Sequence, residues 1–194
     1  MRYGGGIEQS EIEHKPDSMA LSFNNKAVRL MSKVWPGNDS LNSVLYDSAL
    51  YYLDQGIEID SLFTSLYINK SKVLQKKGLL EEAVSILDTV LKIRPDFAEV
   101  IMEQGFLFEK MGRVKLANEK YKLVLSAYEK RLGDNPMSIK TRADIAFLYL
   151  FLEDRNRAID EIQNLILENP KNEDLKATEE LIKNFDRKRF IEEY

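Results

Sequence analysis

Cysteine is absent from these 194 residues, and histidine occurs once, at His14. Without Cys the chain can form no disulfide, thiol nucleophile or thiolate metal site. The absence assigns no redox compartment, because a chain without Cys suits any of them. With a single His, a histidine metal cluster or a Ser-His-Asp relay has only His14 to draw on. An excess of basic residues is also missing. Lys and Arg number 28 against 32 Asp and Glu, a formal charge of −4, which argues against the basic face that nucleic-acid binding needs. No stretch approaches the roughly 18 to 20 apolar residues of a membrane-spanning helix. Gly4-Gly5-Gly6 lacks the strand-to-helix setting and the Lys of a phosphate loop. Carboxylate neighbours such as Glu81-Glu82 and Glu179-Glu180 point in different directions on a helix and make no acid/base dyad. The expectation is a non-enzymatic chain with no cofactor, no metal site, no nucleic-acid partner and no membrane span.

What is present is a globular profile, 44% hydrophobic and 31% charged. Residues 1–18, MRYGGGIEQSEIEHKPDS, read as a flexible acidic leader with a solvated His14 and Pro16 near its end. They show no charged start followed by an apolar stretch, so no secretory signal is read. Localisation stays open: cytoplasmic if Met1 is the native start, periplasmic or envelope-associated if an N-terminal signal was trimmed.

The rest of the chain repeats. Gly78 and Gly112, Ala83 and Ala117, Leu74 and Phe108, and Leu87 and Tyr121 each stand 34 residues apart. Ala49 and Leu53 precede Ala83 and Leu87 by the same step. Afterwards the step becomes 41, from Ala117 to Ala158, Tyr121 to Ile162 and Val124 to Leu165. The extra seven residues are about two helical turns, placed at the end of the helix through Lys120–Arg131. In LLEEAVSILDTVLKI, Leu80, Ala83, Val84, Leu87, Val90 and Leu91 recur at helical spacing, one apolar stripe. Small residues at the contacts let helices approach closely. Gly78 and Gly112 suit left-handed helix ends, and Asp96 followed by Glu99 reads as a capping box. A helix pair alone cannot bury its stripe, so neighbours must stack.

These positions resemble the tetratricopeptide repeat (TPR) family. Tyr67, Ser71, Leu74, Gly78, Ala83, Leu87, Val90 and Pro95 stand at its signature places in the second repeat, Thr64 to Phe97. The resemblance implies an all-α, right-handed superhelix of antiparallel helix pairs, about four over residues 19–171. The first pair is irregular, with an insertion near 35–43 whose Trp35 is expected to fold back onto it. Residues 172–194 are expected to be a capping helix and tail, with Leu175, Leu181, Ile182 and Phe185 on its buried side.

In TPR-like stacks the first helices line a concave groove. The family's groove positions fall on Ile68, Asn69 and Lys72, on Met102, Glu103 and Phe106, and on Lys140, Asp144 and Phe147. The implied function is a protein–protein interaction scaffold or adaptor that binds a peptide or helix, with Phe106 and Phe147 as apolar anchors. The family's clamp for chaperone-tail carboxylates is not matched, and Glu99 and Glu103 would repel such a tail. The alternative is a structural, self-associating module whose groove is filled by another copy, as in a homodimer, or by its own termini. Leu150 and Phe151 are assigned to contact with the capping helix. Lys183, Arg187, Lys188 and Arg189 are read as a solvated, basic helix end.

Overall fold

The computed structural model describes residues 14–194. Most of the leader therefore lies outside the described residues. Among the described residues there are ten helices and no strand. The chain divides into two compact units, Met1–Leu79 and Leu80–Tyr194.

The first unit holds α1 (Ser18–Met31), α2 (Asp39–Ile59) and α3 (Thr64–Lys76). Asp17 starts α1 by accepting hydrogen bonds from the Met19 and Ala20 amides at 2.7 and 3.2 Å, which satisfies donors that a first turn leaves unpaired. Asn38 caps α2 through the Leu41 amide. Asp39 to Ser43, part of the expected insertion, are thus the first turns of α2, and only residues 32–38 form the connection. Ala20, Ala27, Ala49, Leu53, Phe63, Leu66 and Val73 make this unit's core. The alanines bring α1 and α2 close, and Leu53 and Leu66 supply the buried apolar volume.

Two expectations fail in this unit. Trp35 is 69% exposed rather than folded back. Its backbone is clamped by Asn42, which accepts from the Trp35 amide at 3.1 Å and donates to its carbonyl at 2.8 Å, and this fixed turn carries the indole outward. His14 is not merely solvated, because its Nε2 sits 2.8 and 2.9 Å from the two Asp60 carboxylate oxygens. Burial pushes the Asp60 carboxyl up. Hydrogen bonds from the Asp17 amide, His14 and the Leu62 amide outweigh it and hold the group below its ordinary value.

The second unit runs through α4 (Leu80–Ile93), α5 (Ala98–Lys110), α6 (Val114–Asp134), α7 (Ile139–Tyr149), α8 (Arg155–Glu168), α9 (Glu173–Lys183) and α10 (Arg187–Glu193). The extra two turns do lengthen α6, which spans 21 residues. The left-handed ends also occur. Gly78 has φ +78° and Gly112 φ +73°, with the Leu79 amide reaching the Leu74 carbonyl and the Arg113 amide the Phe108 carbonyl. The corresponding place after α7 is Glu153, also left-handed at φ 62°, a conformation that costs a side chain about 1 kcal/mol.

The core of this unit centres on Tyr121, Leu148, Phe151, Ile162, Leu165 and Ile182, all fully buried. Gly105 gives Tyr121 its place: a Cβ there would stand 2.4 Å from the Tyr121 ring. The expected capping box at Asp96 and Glu99 is absent. The α5 cap is Phe97, with no side-chain hydrogen bond. Glu99 instead accepts both Arg131 nitrogens at 2.7 and 3.0 Å, and this guanidinium holds its carboxyl below the usual range. Asn172 caps α9, whose Leu175 and Ile182 are buried, but Leu181 is 50% exposed. Ile182 and Leu181 are neighbours about 100° apart around the helix, and α9 docks with Ile182 turned inward.

Candidate functional site

In the second unit an aromatic surface forms where α5 and α7 present Phe106, Phe147 and, just past α7, Phe151. Repeat spacing puts Phe106 and Met102 four residues apart on one face of α5, and both are buried. The Phe106 ring lies 5.0 Å from Phe151, and Phe147 lies 5.5 Å from it. Such tilted and edge-on arrangements suit aromatic quadrupoles.

This surface carries the C-terminal segment. Phe106 meets Phe190 at 5.3 Å and Tyr194 at 4.8 Å. Phe147 meets Phe185 at 5.6 Å and Phe190 at 6.1 Å. The Tyr194 phenol is raised above its ordinary value by burial first, and then by the charge and hydrogen bond of Glu103. The expected pairing of Leu150 and Phe151 with the C-terminal region is seen for Phe151, which touches Phe185 and Phe190.

An ion pair fixes the start of α10. Arg187 donates from Nε and Nη2 to the two Glu109 oxygens at 2.6 and 3.0 Å, a bidentate fork. The Tyr121 hydroxyl donates to the same carboxylate at 2.7 Å. Burial and this carboxylate push the Tyr121 phenol far up. The Arg187 guanidinium also lies over the Tyr121 and Phe151 rings. Arg187 is therefore half-buried and paired, which corrects its reading as solvated charge. Arg155 donates to the Lys183 and Phe185 carbonyls and holds the link between α9 and α10. An open cleft beside α10 is bounded by Glu109, Lys110 and Val114 on one side and by Arg187, Lys188 and Ile191 on the other.

The nine groove residues expected from the sequence do not fall in one unit. Met102, Glu103, Phe106, Lys140, Asp144 and Phe147 belong to the second unit, and Ile68, Asn69 and Lys72 to α3 of the first. Asn69 donates to Asn24 at 2.8 Å, and Lys72 is exposed. Lys140 pairs with Asp144 four residues on at 2.5 Å. Sequence reasoning missed α10 and the Arg187–Glu109 pair. The available signal was Asp186, which caps α10 by accepting from the Arg189 amide, followed by Phe190 and Tyr194 at helical spacing. Among the described residues no group of three or more His, Cys, Asp or Glu could hold a metal ion. No helix among them is long and apolar enough to cross a membrane.

A tetratricopeptide repeat family model matches residues 64–97, the stretch that carries the signature positions. The chain carries a tetratricopeptide repeat there. Solved structures with the same fold include MamA 41-end from Desulfovibrio magneticus RS-1, 18% identical, covering 87% of this chain and 85% of that one at a TM-score of 0.50. The MamA RS-1 ArsTM double mutant is 17% identical, with coverage of 87% and 85% and the same score of 0.50. A thermophilic TPR protein of Thermus thermophilus, TTC0263, is 17% identical, covering 86% of this chain and all 100% of that one at 0.48. No curated protein sequence matches the chain. The repeat match supports a protein–protein interaction scaffold in general, and tetratricopeptide-repeat proteins are typically non-enzymatic.

Proposed function

We propose that this protein is a scaffold that binds a helical peptide on the α5–α7 surface of its second unit. Phe106 and Phe147 are the apolar anchors, and Met102, Glu103, Lys140 and Asp144 surround them. Ile68, Asn69 and Lys72 on α3 serve partner contact in the first unit. The observation that supports this reading is the aromatic surface itself, which already accommodates a short helix through Phe190 and Tyr194. A surface that packs rings around an inserted aromatic side chain has the chemistry of a hot-spot pocket. The alternative, a surface filled by the chain's own end as a structural element, draws on the same contacts.

Affinity capture with the full chain, read by mass spectrometry, tests the proposal. The comparison is between the unaltered protein, Lys140→Glu and Phe147→Ala. Lys140 is exposed and Phe147 only partly buried, so circular dichroism should report retained helicity. Partners held by the unaltered chain and lost from both variants are the expected result. Identical partner sets would remove this surface from the function.

A further inference from the structure

We propose that α10 is a built-in competitor for the α5–α7 surface, and that it defines the partner. That partner is an amphipathic helix with an Arg followed by aromatic residues three and seven positions later, and it binds by displacing α10. The proposal rests on the reading of that surface as a binding site.

The chemistry of the seated segment carries the inference. Arg187, Phe190 and Tyr194 stand at i, i+3 and i+7, one stripe of a helix, which is the pattern by which helical peptides engage grooves. Each element has a matched receptor. The Arg187 fork meets Glu109, and the Phe190 and Tyr194 rings meet Phe106. Glu103 and Glu109 give the surface an acidic border that complements a cationic ligand residue.

The segment is also built to come away. Seven residues are too few for a helix that is stable by itself, so α10 owes its conformation to the surface beneath it. Residues 184–186 break it from α9, so its release leaves the buried Leu175 and Ile182 of α9 in place. Its outward charges pair along the helix itself, Lys188 with Glu192 and Arg189 with Glu193. An open cleft runs along its flank. Once it leaves, Phe106, Phe147 and Phe151 lie bare, an aromatic patch that calls for a new cover. Tethering keeps the segment at a high effective concentration, so an incoming helix must outcompete it.

A fluorescein-labelled peptide of residues 184–194 is the probe, with fluorescence anisotropy as the readout. It is titrated into the unaltered full chain and into full-chain Arg187→Gln and Phe190→Ala. Both substitutions weaken only the tethered segment and leave α5 and α7 intact. The unaltered chain should bind weakly, and Phe190→Ala should bind about tenfold tighter or more, as expected for losing one buried aromatic anchor from the competitor. Arg187→Gln should shift in the same direction by less. A control peptide with Ala at the two aromatic positions should stay silent. No gain in either variant, or equal binding by the control peptide, overturns the proposal. Should both variants unfold, saturable binding of the probe to the unaltered chain at millimolar concentration, absent for the control, decides it in the same way. If the peptide fails while Lys140→Glu and Phe147→Ala still lose partners, the scaffold reading stands without this one. If the peptide binds while capture is unchanged, α10 merely covers the surface as a structural element, and the partner assignment falls together with the scaffold reading.

Discussion

Gly105→Ala isolates the packing of the second unit in a single methyl group. The added Cβ would lie 2.4, 2.9 and 3.2 Å from Cε1, Cδ1 and Cζ of Tyr121, all inside contact distance. The ring has little room to retreat. It is 0% exposed, lies 5.2 Å from Phe151 and 6.0 Å from Phe106, and is held at its hydroxyl by Glu109. Overpacking of this kind costs about 1–3 kcal/mol. Alanine recovers about 1 kcal/mol of helix propensity over glycine, so the net loss should be about 1 kcal/mol or somewhat more. Gly133→Ala is the matched control, because its Cβ would meet nothing within 4 Å and Gly133 also lies in a helix, α6. That change should stabilise by up to about 1 kcal/mol. With a urea slope of about 2 kcal/mol/M, the two midpoints should differ by about 1 M, followed by circular dichroism. A Gly105→Ala midpoint at or above that of Gly133→Ala would refute the claim that α5 and α6 meet at this glycine.

Alkali should loosen the second unit. Burial raises the phenols of Tyr121, Tyr128 and Tyr194, so the stability they lend is complete below the unfolded phenol value of about 10 and is lost as pH climbs past it. Absorbance at 295 nm should show Tyr121, Tyr128 and Tyr194 ionising only as helicity falls. One wave near pH 10 with helicity intact would contradict this. Asp60 shows the opposite sign. Its lowered folded value means its contribution is present above the unfolded carboxylate value, about 3.9, and fades as pH falls below it. Asp60→Ala, which removes the acceptor for His14 and the Asp17 and Leu62 amides, should lower the urea midpoint at pH 7, and the gap to the unaltered chain should narrow as pH falls below about 3.9. A difference that persists unchanged at pH 3 would argue against an ionised Asp60.

Much of the fold is written in local patterns. The 34- and 41-residue steps found the helices, and Gly78 and Gly112 marked ends whose left-handed turns need no side chain. Failures came where a local rule met a distant partner. Glu99 looked like a capping residue, yet Arg131 offers it two charge-assisted hydrogen bonds, more than one backbone amide can give. Leu181 and Ile182 both looked apolar enough for the core, and only the angle at which α9 docks chose Ile182. Phe106 and Phe147 were legible as unusual residues on first helices. That Phe190 and Tyr194 cover Phe106 was not, since the contact joins residues more than 80 positions apart.

The amino-acid order alone determined that the chain is helical, that its helices come in repeating pairs, and that it carries no cysteine or histidine cluster, because periodicity and composition are properties of short windows. Only the tertiary structure decided what the aromatic surface touches. The Arg187–Glu109 fork and the seating of α10 depend on stacked helices bringing distant segments together, and no window of sequence contains both sides of that contact.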